Sequence, residues 1–155
     1  MDKNNTCFFT GHRQIPEELY DQIYCKVSDT VKSLYKRGYR HFISGGAIGF
    51  DTLCAKAVLE NSKEYDDIKL LIYVPCKGQD KYFSEQQKAD YTEIIDKADE
   101  VIVLSEHYTR WCMHQRNRKM ADDSSVCVAY CTKDTGGTAY TVQYAQKNGL
   151  EIISI

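Results

Sequence analysis

Short apolar segments alternate with amphipathic helical patterns along the whole chain, and this alternation is what most constrains the fold. The run K-L-L-I-Y-V at residues 69–74 is almost continuously apolar and ends at Pro75, which is typical of a parallel strand buried on both faces. We therefore predict a doubly wound α/β domain over residues 1–155, with a mostly parallel sheet and helices on both faces. The predicted strands are residues 6–10, 41–43, 69–74, 100–104, 125–130 and 151–155.

The helices between these strands are indicated by their end signals and by apolar spacing. Pro16 opens the first helix, and Gly38 ends it. Its apolar positions recur every three or four residues, as expected of a helix that packs on a core. They are Leu19, Ile23, Val27, Val31 and Leu34. The later helices are predicted at about residues 52–61, 84–98, 112–121 and 138–147.

The composition of the chain argues against nucleic acid and membranes as its partners. The 155 residues are 43% apolar and carry a net charge of −2, so the bulk charge gives no attraction to nucleic acid or to an anionic membrane. No apolar run approaches the ~20 residues that a membrane span needs. The first residues, M-D-K-N-N, lack the apolar stretch of a signal peptide. We expect a cytoplasmic protein without membrane contact, and nucleic acid is an unlikely partner.

The seven cysteines do not suggest a disulfide framework. Their number is odd, no C-x-x-C pair occurs, and Cys7 and Cys127 lie in predicted strands, where a thiol acts as a small hydrophobe. His107, Cys112 and His114 lie close in sequence, but their spacing matches no structural zinc pattern. We expect reduced thiols, no bound metal and no required cofactor.

Glycines follow the second predicted strand in the segment I-S-G-G-A-I-G-F-D at residues 43–51. Gly45 and Gly46 would let the backbone approach a ligand, and the helix that follows would offer free N–H groups to a phosphate. The alternative is a strand–helix turn in which the glycines serve only backbone geometry. Asp51 would either bind a ribose hydroxyl or serve the first turn of the helix. The spacing is not that of the G-x-G-x-x-G fingerprint, which follows a first strand.

Other loops at the carboxyl ends of the predicted strands add polar groups to the same edge of the sheet. His12 and Arg13 could bind ribose or phosphate, or Arg13 could lie in a solvated turn on a local carboxylate. Gly136 and Gly137 open the last helix, as either a second phosphate turn or an ordinary helix start. The predicted ligand-binding residues are Gly11, His12, Arg13, Gly45, Gly46, Ala47, Gly49, Asp51, Pro75, Gln79, Ser105, Tyr108, Arg116, Asn117, Gly136, Gly137 and Thr138.

Several motifs together carry a family resemblance. They are F-T-G-H-R at 9–13, S-G-G-A-I-G-F-D at 44–51, P-C-K-G-Q at 75–79, A-D-E-V-I-V-L-S at 98–105, R-N-R-K-M at 116–120 and G-G-T-A-Y-T at 136–141. In this order they resemble the SLOG superfamily, which includes DprA and the LONELY GUY phosphoribohydrolases, and most closely its YpsA-like branch. The resemblance implies a Rossmann-like parallel sheet that binds nucleotides or nucleotide-derived ligands.

The resemblance also bears on catalysis. The segment M-H-Q-R-N-R-K-M at 113–120 is similar to the LONELY GUY helix motif, which would make Arg116 the counterpart of the catalytic arginine. The second motif, Pro-Gly-Gly-x-Gly-Thr-x-x-Glu, is matched here by T-G-G-T-A-Y-T at 135–141, which lacks the proline and two further residues. Thr141 stands where the acid/base glutamate is expected, and a threonine hydroxyl cannot act as a general acid or base near neutral pH.

Three functions follow from this pattern. The leading one is a sensor or sequestering protein for a nucleotide or an ADP-ribose-like signal, without turnover. The alternative is a nucleoside-monophosphate phosphoribohydrolase that uses Arg116 with Asp51 or Glu106 as the carboxylate. The third, DprA-like single-stranded DNA binding, is disfavoured by the acidic net charge. We also expect a homodimer or a higher homo-oligomer.

Overall fold

The computed structural model describes residues 1–155 and contains six strands and five α-helices, with 3-10 turns at Lys3–Asn5 and Glu17–Leu19. The strands are β1 (Thr6–Gly11), β2 (His41–Ser44), β3 (Lys69–Val74), β4 (Glu100–Val103), β5 (Val126–Tyr130) and β6 (Glu151–Ser154). The helices are α1 (Tyr20–Lys36), α2 (Phe50–Ser62), α3 (Glu85–Lys97), α4 (Cys112–Asp122) and α5 (Gly137–Lys147).

The strands form one sheet in the order β4-β3-β2-β1-β5-β6, and every neighbouring pair is parallel. The chain moves outward from β1 to β4, crosses back over the sheet and continues at β5 beside β1. The order of strands therefore reverses between β1 and β5, where such folds open a crevice at the carboxyl ends. The predicted doubly wound fold is confirmed, and its sheet is parallel throughout.

Helices cover both faces of the sheet and bury two separate apolar clusters. The larger cluster contains side chains of α1, α2 and α3, and the smaller one contains side chains of α4 and α5. In α1, four of the five apolar positions predicted to face the core are buried. Leu19 is the exception at 37% exposure, because the chain around Pro16 forms a 3-10 turn and α1 begins only at Tyr20.

Other features of the chain bear on its partners. No helix combines the length and apolar character needed to cross a membrane. All seven cysteines are free thiols. No group of three or more His, Cys, Asp or Glu side chains is placed to hold a metal ion. The predicted cytoplasmic location and self-association stay predictions.

Helix α3 is weakly anchored in the core and depends on its N-terminal cap. Ile94 is its only buried residue. Ser84 Oγ accepts a hydrogen bond from the Gln87 N–H at 3.2 Å, and Gln87 Oε1 accepts one from the Ser84 N–H at 2.8 Å. This reciprocal pair satisfies two backbone donors that would otherwise be free at the helix start.

We predict that Ser84→Ala lowers the free energy of unfolding by about 0.5–2 kcal/mol, the usual cost of losing such a cap. Urea denaturation followed by circular dichroism measures the change. Ser33→Ala is the matched control, because Ser33 is exposed within α1 and its side chain makes no hydrogen bond. Equal stability of the Ser84 variant and the native chain would contradict the prediction.

Candidate functional site

A cavity of about 330 Å³ lies where the strand order reverses, bounded by the end of β1 and the first turns of α2, α4 and α5. It brings together parts of four separate sequence motifs, because the carboxyl ends of parallel strands meet at one edge. Nine of the predicted ligand-binding residues line it. They are Gly11, His12, Arg13, Ala47, Asp51, Arg116, Asn117, Gly137 and Thr138.

Arg116 reaches from α4 into the protein and is only 4% exposed. Its Nη1 donates hydrogen bonds to the carbonyl oxygens of Gly45 (2.6 Å) and Tyr73 (3.3 Å), and its Nε donates to Oδ1 of Asn117 (2.9 Å). Its Nη2 contacts only the weak acceptor Sδ of Met113, at 3.8 Å. Arg116 thus ties α4 to the ends of β2 and β3, and one amino group remains available to a ligand.

Asp51 is buried and lines the same cavity as the only acidic residue. Its Oδ2 accepts a hydrogen bond from the Ala47 N–H at 3.3 Å, and the N-cap of α2, Gly49, has no side-chain cap. The carboxylate therefore stabilises the glycine loop rather than capping α2. Burial raises the pKa of Asp51, and this outweighs the opposing effects of Arg116, the Ala47 N–H and Arg13.

The structure corrects the expected role of Gly45 and Gly46, neither of which lines the cavity. A Cβ on Gly45 would lie 2.5 Å from Nη1 of Arg116 and 2.7 Å from Oδ2 of Asp51. Gly46 has a φ of +69°, and a Cβ there would meet the side chains of Ile72, Tyr91 and Gln79 at 3.1–3.2 Å. These glycines make room for side chains of the protein itself rather than for a ligand.

Two further glycines join the loop after β1 to the start of α2. A Cβ on Gly11 would overlap the ring of Phe50, and a Cβ on Gly49 would overlap the backbone carbonyl of Arg13. Gly49 also has a φ of +80°, and the Phe50 N–H donates to the His12 carbonyl at 3.0 Å. The first two sequence motifs thus pack against each other.

His12 joins the loop after β1 to the loop after β5. Its Nε2 lies 2.9 Å from the Thr132 N–H nitrogen and 3.1 Å from the Thr132 hydroxyl. Its ring packs edge-on against Tyr130 at a centroid distance of 5.5 Å. Burial, and to a lesser degree the charge of Lys133, lowers the pKa of His12. The neutral imidazole is therefore favoured, and its Nε2 accepts the Thr132 N–H bond.

Arg13 is exposed beside His12, and its side chain forms no hydrogen bond or ion pair within the protein. The alternative of a local carboxylate partner for Arg13 is therefore wrong. Arg13 lines the 330 Å³ cavity and also a larger cleft of about 920 Å³. The lining of this cleft includes Gly49 and Lys133. The guanidinium of Arg13 is positioned between the two and is free to bind an anion.

The start of α5 offers an open backbone. Gly136 has a φ of +102°, and neither it nor Gly137 would bring a Cβ within 4 Å of another group. No side chain caps this helix. Its first N–H groups and the positive end of its dipole are therefore available to an anion at the edge of the cavity.

The carboxylate of the LONELY GUY site has no counterpart on α5. Thr141 is buried, and its hydroxyl donates to the Gly137 carbonyl at 2.9 Å. Glu106 is exposed, forms an ion pair with Lys77 at 2.8 Å and does not line the cavity. Of the two carboxylates considered in the alternative hypothesis, only Asp51 lies beside Arg116.

The remaining predicted residues lie outside the 330 Å³ cavity. Gln79 donates to the Gly45 carbonyl at 3.1 Å, and the Ser105 hydroxyl donates to the His107 carbonyl at 2.8 Å. Tyr108 is 72% exposed. The structure also adds residues to the site, and Met113 and Met120 could have been found because they share one face of α4 with Arg116. The predicted residues outside the cavity are Gly45, Gly46, Gly49, Pro75, Gln79, Ser105, Tyr108 and Gly136, and the added ones are Phe9, Thr10, Met113, His114 and Met120.

Comparison with known proteins identifies the family of this chain. The sequence profile of the YspA SLOG family matches residues 9–152, which include every loop of the site. The chain belongs to this family. The SPbeta prophage-derived protein YoqJ of Bacillus subtilis is 31% identical over 145 residues, covering 86% of this chain and 83% of YoqJ. The UPF0398 protein SERP1017 of Staphylococcus epidermidis is 26% identical over 132 residues, covering 79% of this chain and 70% of that protein.

Solved structures of DNA processing protein A, DprA, share the fold of this SLOG chain. The Streptococcus pneumoniae protein has a TM-score of 0.71 at 19% identity, and the match covers 98% of this chain and 50% of that one. The Helicobacter pylori protein has a TM-score of 0.71 at 18% identity, and the match covers 96% of this chain and 64% of that one. The chain therefore spans one half to two thirds of these DprA chains.

We predict that Gly45→Ala destabilises this SLOG domain by about 1–3 kcal/mol, because its methyl group overpacks against Arg116 and Asp51. Gly137→Ala is the matched control, since a Cβ there meets nothing within 4 Å. Thermal unfolding of both variants checks the expectation. Equal losses would show that Arg116 does not require the glycine.

We also predict a pH dependence that comes from His12. Because folding lowers its pKa, the stabilisation is complete above the ordinary value of 6.5 and is lost as the pH falls through the lower folded-state value. Protonation converts Nε2 from an acceptor to a donor, which breaks the bond from the Thr132 N–H. Unfolding at pH 7 and pH 5 should show a smaller decrease in His12→Gln, which does not titrate. An equal decrease in both proteins would contradict this role of His12.

Proposed function

We propose that this SLOG domain binds the phosphate and ribose of a nucleotide-derived ligand in the 330 Å³ cavity and does not convert it. The observation that carries the proposal is the convergence of unpaired donors on one cavity. They are the free guanidinium of Arg13, the Nη2 group of Arg116 and the uncapped start of α5. Charge-assisted bonds from arginine and the N-terminus of a helix are the usual means of holding a phosphate.

The preferred ligand is an ADP-ribose-like signal, and the function is that of a sensor or sequestering protein. The 330 Å³ cavity and the 920 Å³ cleft both contain His12 and Arg13, which suits a ligand with two polar ends joined by phosphates. The proposal requires no further cofactor. It also gives a reason for the bond between His12 and Thr132, which holds the two loops at a fixed separation.

The proposal that no turnover occurs is supported by the lack of a free carboxylate at the positions where the LONELY GUY chemistry would need one. Thr141 occupies the position of the LONELY GUY glutamate and is bonded to its own helix, and Glu106 is paired elsewhere. A phosphoribohydrolase remains the second candidate because Asp51 lies beside Arg116 in the cavity. Its pKa is raised by burial, which is the direction that suits a general acid.

Single-stranded DNA binding is a third candidate. The structure of the Helicobacter pylori DprA is described as showing a single-stranded DNA binding mode. The exposed side chains of Arg110, Trp111 and Arg118 favour this candidate here, since such proteins combine cations with aromatic rings. A net charge of −2 describes the whole chain and does not exclude a local cationic surface.

We predict that Arg13→Ala weakens the binding of ribose 5-phosphate, AMP and ADP-ribose about ten- to hundredfold, because charge-assisted hydrogen bonds are worth roughly 1.5–3 kcal/mol. Isothermal titration calorimetry measures the affinity. Arg37→Ala is the matched control, since Arg37 is an exposed arginine paired with Glu151 at the opposite edge of the sheet. Failure of the folded, ligand-free protein to bind any of the three would overturn the proposal.

The same samples decide between binding and hydrolysis. Release of free adenine from AMP is followed by chromatography, and none is expected from the native chain. Steady release that disappears in Asp51→Asn would establish the hydrolase instead, because that substitution removes the only acidic side chain of the cavity while keeping its size.

A further inference from the structure

An aromatic surface next to the cavity has no role in the function described so far. The residues Trp111, His114, Gln115, Arg118 and Tyr140 line a concavity of about 470 Å³ between the starts of α4 and α5. We call this surface the aromatic platform. Trp111 is 57% exposed and is the only tryptophan in the chain. A large apolar side chain left in water within a concave surface is typical of a binding site.

The rings of the platform form a continuous row. The His114 ring lies between the other two, with centroid distances of 6.1 Å to Trp111 and 5.0 Å to Tyr140. The His114–Tyr140 contact is edge-to-face, and the Trp111–His114 contact is tilted. Together the rings give a planar ligand an aromatic surface to contact within the concavity.

Two arginines add positive charge to this row. Arg118 donates to the Tyr140 hydroxyl from Nε and Nη2, and its guanidinium carbon lies 5.6 Å from the Tyr140 ring centroid and 5.4 Å from that of Tyr144. The Arg110 guanidinium carbon lies 5.0 Å from the Trp111 ring centroid. No acidic residue lines the platform. Its chemistry therefore suits an aromatic ring that carries negative charge nearby.

The platform adjoins the proposed phosphate cavity through one residue. His114 lines both, and its Nδ1 atom is buried without a hydrogen-bond partner. A ligand with its phosphate beside Arg13 and α5 can therefore extend along His114 towards Trp111. On the platform side the cavity therefore meets a surface with three rings and no acidic residue, whereas the 920 Å³ cleft is lined by two tyrosines together with lysine, glutamine and aspartate side chains.

We propose that the aromatic platform is a nucleobase site, on which an unpaired base stacks against Trp111 and Tyr140 beside the guanidinium of Arg118, while the phosphate attached to it lies in the 330 Å³ cavity. The proposal deepens the proposed function and depends on it only for the phosphate held in the cavity. An unpaired base with an attached phosphate is common to a small nucleotide and to a single-stranded nucleic acid.

Trp111 reports on the platform directly, because no other tryptophan contributes to the fluorescence of the protein. We expect adenosine and AMP to quench this fluorescence and ribose 5-phosphate to leave it unchanged. Replacing Trp111 or Tyr140 by alanine should weaken AMP binding in calorimetry about five- to hundredfold, since stacking is worth roughly 1–3 kcal/mol per base. Trp111→Phe, which keeps an aromatic ring, should restore most of the affinity.

Tyr82→Ala is the matched control, because Tyr82 is 88% exposed and has a lysine, Lys81, 5.4 Å from its ring centroid but lies outside the platform. This variant should bind AMP like the native chain. Circular dichroism confirms the folding of each variant. If Trp111→Ala does not fold, Tyr140→Ala carries the test. Unchanged AMP binding in folded platform variants, or no quenching by adenosine and AMP, overturns the nucleobase site.

The probes separate this proposal from the phosphate site. Arg13→Ala should weaken ribose 5-phosphate binding and leave quenching by adenosine intact. Ribose 5-phosphate binding without quenching by adenosine would contradict the nucleobase site and support the phosphate site. Quenching by adenosine without ribose 5-phosphate binding would contradict the phosphate site and support the nucleobase site. Salt-dependent quenching by a short oligothymidylate at concentrations where AMP has no effect would identify single-stranded nucleic acid as the source of the base, and quenching by AMP alone would identify a small nucleotide.

Discussion

The site depends on one buried guanidinium, that of Arg116. A charge removed from water must be compensated by polar partners, and here they are the carbonyl oxygens of Gly45 and Tyr73, with the Asp51 carboxylate nearby. These contacts connect α4, which crosses the sheet, to the ends of β2 and β3. These contacts also affect the cavity, because the side chains of Arg116 and Asp51 both line it.

The burial of Arg116 also explains why a glycine is needed at position 45. Space at Gly45 is filled by Arg116, and the open backbone is found instead at the start of α5, where Gly137 has no neighbour in the direction of a side chain. The donors left for a ligand are thus Arg13, one amino group of Arg116 and the N–H groups of α5. They surround a cavity whose only acidic residue is Asp51, and the proposed binding of an anion rests on this arrangement.

Local charge differs from the average of the chain. A net charge of −2 coexists with Arg13 at the cavity and with Arg110 and Arg118 at the aromatic platform. Because screening limits electrostatic effects to about 10 Å at ordinary salt, a phosphate responds to these nearby groups rather than to the total charge. The aromatic platform and its two arginines make nucleic acid a partner worth testing, contrary to the expectation from composition.

The sequence alone determined the elements and their class. Strand β3 was predicted at the residues where it occurs, and most other boundaries fell within two residues, because periodicity and end signals act over a few neighbouring residues. It also placed nine residues that share one cavity, since loops after parallel strands meet at one edge. Only the tertiary structure showed that Arg116 fills the space at Gly45, that His12 bonds Thr132 and that Trp111 and Tyr140 line one concavity. Each of these three arrangements brings together residues that are far apart in the chain. Strand order and helix packing determine such arrangements, and local sequence patterns do not encode them.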